Sequence, residues 1–240
     1  MKSAEDIRTV VADRYGRLAV TGSACCSDDG CTDSVKLGYS AEDLAQIPQG
    51  ADMSLGCGAP VRLAELAPGE RVLDLGSGAG IDVFLAAREV GDTGQVIGVD
   101  MTPAMIERAR SNADKVGAGN VEFRQGLIEQ LPVDDDSIDV VLSNCVINLA
   151  PDKSAVFAEA FRVLAPGGRL VVSDIVSGTN AQPIDPDPDS WASCIDGAIP
   201  EAQYLGGLEK SGFAKPEMLE SGNAGEGGVY SITVRAVKPS

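Results

Sequence analysis

The sequence contains no histidine among its 240 residues, and only 4% of its residues are aromatic. Histidine is the side chain that most often titrates near neutral pH, and it is also the most common metal ligand. Any catalysis by this chain therefore proceeds without imidazole, and any metal or metalloid site uses other donor atoms.

Basic residues are also scarce, because 19 Lys and Arg stand against 36 Asp and Glu and leave a formal net charge of −17. Such a surface repels phosphate groups, which argues against DNA or RNA as a partner. Asp outnumbers Glu, and Arg outnumbers Lys. This balance suits a salt-adapted protein and an ordinary acidic enzyme equally well, and a melting temperature that rises steeply with molar KCl would favour the first.

A long apolar run is missing, and so is the pattern of an N-terminal signal peptide. We therefore expect a cytoplasmic protein with no membrane partner. Six cysteines in a chain of this size, without a secretion signal, do not indicate a disulfide framework. The apolar content of 44% is that of a globular chain with a substantial core.

Residues 71–80, which read R-V-L-D-L-G-S-G-A-G, are the stretch around which the rest is organised. A short apolar strand ends there in three glycines at alternate positions, and residues 81–87 then begin a helix. Such glycines let the backbone approach a ligand at the N-terminus of the helix. The dinucleotide-binding fingerprint requires its third glycine at position 81, which is Ile81.

Two carboxylates flank this turn. Asp74 ends the first strand and suits a cationic amine, whereas Asp100 ends the next strand at the distance expected of a ribose-binding carboxylate. Together with Gly76, Gly78 and Gly80, these residues resemble the cofactor site of class I S-adenosylmethionine-dependent methyltransferases. An ordinary nucleotide-binding turn or a structural glycine cluster is the alternative.

Strands and helices alternate from residue 71 onward, which indicates an α/β fold with a parallel sheet covered on both faces. We expect a doubly wound, Rossmann-like, mostly parallel sheet of seven strands. Residues 1–59 are interpreted as a cysteine-bearing N-terminal cap segment. Residues 60–240 are interpreted as the methyltransferase domain, with an insertion at residues 177–200.

Several element boundaries follow from capping and breaking residues. Thr102 is expected to cap a helix that begins with Pro103. Pro166-Gly167-Gly168 is expected to separate a helix over 154–164 from a strand over 169–176. The chain is predicted to end with a helix over 201–210, a strand near 216–219 and a strand over 229–237.

The topology places one cysteine near the expected methyl donor. Ligands of doubly wound sheets lie at the carboxyl ends of the strands, where the strand order switches. In the usual methyltransferase order this point lies between the first and fourth strands, so Cys145 is predicted beside the donor's sulfonium. A single cysteine after a strand is more often a small buried apolar residue.

The other cysteines favour a functional role for Cys145. They lie in segments expected near the same edge, namely Cys57 before the first strand, Cys194 in the insertion, and Cys25, Cys26 and Cys31 in the N-terminal loop. Zinc would need four cysteines, and the paired spacing of zinc ribbons is missing. Trivalent arsenic instead binds two or three thiolates and keeps a lone pair, which can attack a sulfonium methyl without a base.

The segments around these cysteines are similar to those of arsenite S-adenosylmethionine methyltransferases. The most specific is S-N-C-V-I-N-L at residues 143–149, followed by P-D-K at 151–153. The others are S-L-G-C-G at 54–58, A-S-C-I-x-G-A at 192–198, and Tyr15-Gly16 ahead of Ala24-Cys25-Cys26. The resemblance extends from about residue 8 to residue 237.

This resemblance implies a role for each thiol. Cys145 and Cys194 would hold As(III) facing the methyl donor. Cys57 and one N-terminal cysteine, which is Cys25, Cys26 or Cys31, would act in capture of arsenic or in thiol–disulfide turnover. A thiol reductant such as glutathione or thioredoxin would accompany the reaction.

The class I pattern also implies cofactor contacts. Asp74 would bind the methionine amino group, Asp100 the ribose, and Met101 the adenine. The remaining contacts are expected from Ile128 and Glu129 at the border of the adenine, Asn144 near the methionine moiety, and Tyr15. Simple core packing is the alternative for Met101 and Ile128.

The leading interpretation is an enzyme that methylates trivalent arsenic, a small-molecule substrate. A methyltransferase acting on carbon or oxygen of a small metabolite, with structural cysteines, is the second. A thiol-based metalloid-binding or sensor protein is the third. Arsenite methylation retained by Cys145→Ser or Cys194→Ser would contradict the thiolate mechanism.

Overall fold

The computed structural model describes residues 3–22, 34–178, 191, 195–223 and 228–240. The predictions for Cys25, Cys26, Cys31 and Cys194 lie outside these residues, as does most of the insertion predicted over 177–200. No helix in the described part of the chain is long and apolar enough to cross a lipid bilayer.

Seven strands form one sheet with the order β3-β2-β1-β4-β5-β7-β6. The strands are β1 (Arg71–Leu75), β2 (Gln95–Asp100), β3 (Val121–Gln125), β4 (Ile138–Asn144), β5 (Leu164–Ser177), β6 (Ala214–Ser221) and β7 (Val229–Val237). The first five pair in parallel, and β7 runs antiparallel to both β5 and β6. The predicted seven-stranded, mostly parallel doubly wound sheet is confirmed.

Helices cover both faces of the sheet. They are α1 (Ala4–Thr21), α2 (Ala41–Leu44), α3 (Pro60–Leu63), α4 (Ile81–Val90), α5 (Pro103–Val116), α6 (Lys153–Val163) and α7 (Glu201–Lys210), with a 3₁₀ turn at Ile147–Leu149. The helix α1 begins with a capping box, in which Ser3 and Asp6 exchange hydrogen bonds between side chain and backbone. The predicted helix over 201–210 and strand over 229–237 are confirmed.

The strand β1 shows why the centre of the sheet carries apolar side chains on both of its faces. Val72 packs into the hydrophobic cluster on one face, whereas Leu73 and Leu75 pack into the cluster on the other. Successive side chains of a strand point to opposite faces, and here both faces are covered by helices. The central strand is therefore buried on both sides and holds the glycine turn in a fixed position.

One predicted boundary is wrong in detail, and one predicted N-cap residue forms no capping hydrogen bond. The strand β5 begins at Leu164 rather than Arg169, because Gly167 and Gly168 exchange backbone hydrogen bonds with Lys238 beyond β7. Its register with β4 shifts there, which accommodates the Pro-Gly-Gly segment inside the strand. Thr102 occupies the N-cap position of α5, but its side chain forms no capping hydrogen bond.

Candidate active site

A pocket of about 1050 Å³ lies at the switch point of the sheet, between the carboxyl ends of β1 and β4. Its walls include most of the residues predicted to bind a cofactor, namely Tyr15, Asp74, Gly76, Gly78, Asp100, Met101, Ile128, Glu129 and Asn144. Cys145 also lines the pocket, whereas Gly80 is not among the lining residues. The topology-based placement of Cys145 at this edge therefore agrees with the structure.

The three glycines of the turn have two different roles, because two of them avoid steric clashes and the third exposes backbone to the pocket. Gly76, Gly78 and Gly80 all have positive φ, at 65°, 52° and 101°. A Cβ on Gly76 would lie 2.2 Å from Cγ2 of Val146, and one on Gly80 would lie 2.7 Å from Cε2 of Phe84. A Cβ on Gly78 would meet nothing within 4 Å, so this backbone faces open space in the pocket and is accessible to a ligand.

Asp100 ties the end of β2 to the glycine turn. Its two carboxylate oxygens accept hydrogen bonds from the backbone N–H groups of Gly78 at 3.0 Å and Thr102 at 2.8 Å. Burial raises the pKa of Asp100, and the two backbone donors act against that rise. Each oxygen keeps a second lone pair, so the carboxylate can still accept hydrogen bonds from ligand hydroxyl groups.

Asp74 is a buried acid on the floor of the pocket, with 3% of its surface exposed. Burial is the main cause that raises its pKa well above the usual value, and the nearby carboxyl groups of Asp82 and Asp100 raise it further. A cationic ligand would stabilise the ionised form of this group. The position therefore fits the amine that the sequence predicts for it.

Asp82, in the first turn of α4, belongs to a buried network that the sequence did not reveal. Tyr39 donates its hydroxyl to both oxygens of Asp82 at 2.9 Å, and Asn144 Nδ2 donates to Oδ2 at 3.2 Å. Burial raises the pKa of Asp82 to about 6, and the Tyr39 and Asn144 hydrogen bonds counteract the rise. An acid inside the apolar sequence I-D-V-F-L-A-A was the available signal.

Asn144 connects this network to the loop that carries Cys57. Its Oδ1 accepts a hydrogen bond from the Cys57 backbone N–H at 3.1 Å, and its Nδ2 donates to the Gly58 carbonyl at 2.8 Å. A Cβ on Gly56 would lie 2.7 Å from Nδ2, so the loop packs directly on the carboxamide. Asn144 lines the pocket as predicted, and its side chain also holds the Cys57 loop.

Two thiols and a carboxylate converge at one edge of the pocket. The Sγ atoms of Cys57 and Cys145 and a carboxylate oxygen of Asp174 all lie within 4.8 Å of one another. Cys145 is held by a hydrogen bond from its backbone N–H to the Ser173 carbonyl at 2.8 Å, with φ at 59°. Asn144, the residue before Cys145, accepts a hydrogen bond from the Cys57 backbone N–H and so connects the Cys57 loop to the end of β4.

Asp174, on β5, is the residue of this cluster that sequence analysis missed. It is fully buried and accepts hydrogen bonds from the backbone N–H of Ile175 at 2.9 Å, the backbone N–H of Asn148 at 3.2 Å and the Tyr204 hydroxyl at 3.4 Å. Burial raises its pKa to about 7, although its N–H donors and the charge of Lys153 oppose the rise. An acid within the apolar strand sequence L-V-V-S-D-I-V was the signal that could have identified it.

The outer wall of the pocket combines packing with one ion pair. Glu129 accepts from Arg8 of α1 at 3.0 Å, which joins the N-terminal helix to the segment after β3. Ile128 belongs to the main hydrophobic core, and Met101 packs on a cluster that includes Cys145. Because both also line the pocket, core packing and ligand contact are compatible at these two positions.

The strand order, the glycine turn and the pocket define a class I methyltransferase domain. Residues 66–223 match the family model described as a methyltransferase domain. The chain is 49% identical over 230 residues to an arsenite methyltransferase of Halobacterium salinarum, across 89% of this chain and 59% of the relative. It is 34% identical over 250 residues to an arsenite methyltransferase of Aquipseudomonas alcaligenes, across 95% of this chain and 71% of the relative.

A solved structure gives the same result. The crystal structure of CrArsM, an arsenic (III) S-adenosylmethionine methyltransferase from Chlamydomonas reinhardtii, matches with a TM-score of 0.66 and 37% identity, over 89% of this chain and 75% of that chain. The chain belongs to the arsenite methyltransferase family. It spans 59% of the length of the Halobacterium salinarum relative and 61% of a further relative from Mus musculus.

Proposed function

We propose that this chain transfers a methyl group from S-adenosylmethionine to thiolate-bound trivalent arsenic. The observation that carries this proposal is the convergence of the Cys57 and Cys145 Sγ atoms at the edge of the pocket that opens beside the glycine turn. Membership of the arsenite methyltransferase family supports the same conclusion.

The polar and apolar residues that line the pocket support S-adenosylmethionine as its ligand. The open backbone at Gly78 would accept close approach of the ligand, Asp100 would bind its ribose hydroxyls, and Asp74 would bind its amine. Met101 and Ile128 offer apolar surface for the adenine. When bound, the cofactor supplies an electrophilic methyl group on a sulfonium.

The thiolates of the protein supply the other half of the reaction. Arsenic held by two or three thiolates keeps a lone pair, which would attack the methyl carbon in line and displace the thioether. No proton has to be removed from arsenic in this step, which agrees with a chain that has no histidine. Alkylation draws two electrons from arsenic, so a thiol reductant such as glutathione or thioredoxin would restore the trivalent state.

We include Cys194 among the arsenic ligands because its described neighbours contact the segment that follows Cys145. Trp191 Nε1 donates to the Leu149 carbonyl at 3.3 Å. On the other side, a Cβ added to Gly197 would lie 2.0 Å from the carbonyl oxygen of Asn148, so these two backbones are in close contact. Both contacts involve the segment that follows Cys145, and they support the proposed role of Cys194 as an arsenic ligand.

The chemistry also favours a reducing compartment. Thiols that bind arsenic must be reduced, and the cytoplasm keeps cysteines in that form. We therefore propose that the enzyme detoxifies arsenite in the cytoplasm.

The direct test incubates the purified protein with S-adenosylmethionine, arsenite and glutathione and separates the arsenic species by chromatography. We expect methylated arsenic from the native chain and none above background from Cys145→Ser, with S-adenosylmethionine binding retained in both. Arsenite methylation at the native rate by Cys145→Ser would overturn the thiolate mechanism. Cofactor binding without turnover on any arsenic–thiol complex would indicate a sensor instead.

A further inference from the structure

The cluster of Cys57 and Cys145 also includes an oxygen donor, Asp174, which arsenic binding does not require. Asp174 places a carboxylate oxygen within 4.8 Å of the Sγ atoms of both Cys57 and Cys145. Trivalent arsenic is satisfied by soft thiolates, whereas divalent zinc and cadmium accept a mixture of thiolate and carboxylate ligands. The paired cysteine spacing of zinc ribbons is missing from the sequence, but the Asp174 carboxylate supplies a third donor beside the two thiols.

Asp174 is oriented in the way expected of a metal ligand. The backbone N–H groups of Ile175 and Asn148 and the Tyr204 hydroxyl all donate to its carboxylate, and its surface is fully buried. Hydrogen bonds of this kind hold ligating carboxylates in place around protein-bound metals. The carboxylate therefore needs little reorganisation to coordinate an ion between the two sulfur atoms.

The spacing of the three donors also suits a small divalent ion. Zinc lies about 2.3 Å from thiolate sulfur and about 2.0 Å from carboxylate oxygen, so that tetrahedral ligand atoms are about 3.5 to 3.8 Å apart. Donor atoms spread over at most 4.8 Å reach these separations by small side-chain rotations. Three protein ligands leave a fourth position, and Cys145 faces the pocket.

We propose that Cys57, Cys145 and Asp174 form a binding site for a thiophilic divalent cation of the zinc and cadmium class. The ion is bound by two thiolates and one carboxylate, with the fourth position open to the pocket. Because the proposed function uses the same two thiols for arsenic, the cation competes with arsenite and inhibits methylation. This second consequence rests on the proposed function, whereas the binding itself does not.

Cadmium is the probe, because its bonds to thiolates give an ultraviolet charge-transfer absorption that reports the sulfur ligands directly. The parent protein is the full chain with Cys25, Cys26, Cys31 and Cys194 replaced by serine, so that Cys57 and Cys145 are its only cysteines. We expect the absorption to saturate at one cadmium ion per chain. A titration without saturable thiolate absorption at one equivalent would overturn the proposal.

Asp174→Asn in this parent tests the carboxylate. Loss of a group that only hydrogen-bonds a metal ligand typically costs about 10- to 100-fold in affinity. We expect Asp174→Asn to lower cadmium affinity by at least about 100-fold, while the absorption per bound ion stays that of two thiolates. The matched control is Asp92→Asn, the same change at an exposed turn, which leaves the affinity unchanged. Equal affinity in Asp174→Asn and the parent would show that the site does not include Asp174.

A second variant keeps the test decisive if Asp174→Asn does not fold, as judged by circular dichroism. Tyr204→Phe keeps the buried ring and removes the hydroxyl that donates to Asp174, so we expect about tenfold weaker cadmium binding. Unchanged affinity in Tyr204→Phe then counts against the proposal. All titrations omit arsenite and S-adenosylmethionine, so failure here leaves the proposed methylation intact, and failure of methylation leaves the cadmium result intact.

Discussion

Asp82 and Asp174 are both buried acids at the carboxyl edge of the sheet, but they lie in opposite surroundings. Asp82 accepts hydrogen bonds from two side chains, Tyr39 and Asn144. It lies on the cofactor side of the pocket, which is the side lined by Asp74 and Asp100. Asp174 is bonded by two backbone N–H groups and Tyr204, and two thiols lie beside it. Burial raises the pKa of both acids, to about 6 for Asp82 and to about 7 for Asp174.

The comparison shows how one edge of a sheet supports two kinds of ligand. On the side proposed for the cofactor, the carboxylates of Asp74 and Asp100 line the pocket and would accept hydrogen bonds from its amine and hydroxyl groups. On the thiol side, hydrogen bonds hold the carboxylate of Asp174 beside two sulfur donors, of which Cys145 lines the pocket. Asn144 belongs to both sides, because it bonds Asp82 and the Cys57 loop.

The largest expected effect is a loss of arsenite methylation that leaves the affinity for S-adenosylmethionine unchanged. Cys145→Ser replaces the thiolate by a hydroxyl with little affinity for arsenic, so we expect methylation of arsenite to fall by at least about 1000-fold, or about 4 kcal/mol. The affinity for S-adenosylmethionine, measured by calorimetry, should stay within about twofold of the native value because the glycine turn is untouched. A parallel loss of both activities would mean that the two sides are not separable.

The next largest effect is the pH dependence of the free energy of unfolding, which should differ between the variants of Asp174 and Asp82. Asp174 keeps its proton up to about pH 7 in the folded chain, whereas it ionises near pH 4 in the unfolded chain. The folded state therefore binds more protons between these pH values, and the free energy of unfolding falls as pH rises through them. Asp174→Asn should remove this loss, which is on the order of 4 kcal/mol. Asp82 causes a similar loss of stability in the native chain, which is complete near pH 6, and Asp82→Asn should remove that loss. Urea denaturation across this range measures both, and curves parallel to the native one would contradict the assignment.

Asp100→Asn tests the cofactor side alone. The carboxylate loses its charge while the side chain keeps its size, and a hydrogen bond to a charged group contributes about 1.5 to 3 kcal/mol. We therefore expect the Kd for S-adenosylmethionine to rise about 10- to 100-fold. Cadmium titration of the thiols serves as the control and should not change, since Asp100 bonds only Gly78 and Thr102 among the hydrogen bonds described for it.

Asn144→Ala tests the residue shared by both sides. It leaves the Cys57 N–H and the Gly58 carbonyl without this partner, which should cost about 2 kcal/mol and lower Tm by about 4 to 8 °C. Capture of a dithiol-reactive arsenical should also slow, because the Cys57 loop is no longer held. The matched control is Asn120→Ala, which loses two hydrogen bonds far from the thiols and should lower Tm without slowing capture.

The smallest effect concerns the wall of the pocket. Arg8→Ala breaks the partly exposed ion pair with Glu129, and such pairs contribute at most about 1 kcal/mol. Tm should therefore fall by no more than about 2 to 4 °C. A change in cofactor affinity beyond about fivefold would mean that α1 contributes more to the cofactor side than this contact explains.

The residues that sequence reasoning placed correctly share a local signal. The glycine turn and Asp100 follow strands directly, and the topology of the sheet then places Cys145 at the same edge. Tyr39 lacks such a signal, and the acid in the β5 sequence does not reveal that two thiols lie beside it, because only folding brings these residues together. The start of β5 was missed for a similar reason, since Gly167 and Gly168 pair with Lys238 at the other end of the sequence.

The left-handed backbone at Cys145, with φ at 59°, has a cost that reaches beyond the reaction. Non-glycine residues in this region carry strain on the order of 1 to 3 kcal/mol, which a glycine would release. The same change would remove the sulfur and the buried contacts that Cys145 makes with Val11 and Leu149. The position therefore keeps a residue type that its backbone conformation alone would not favour.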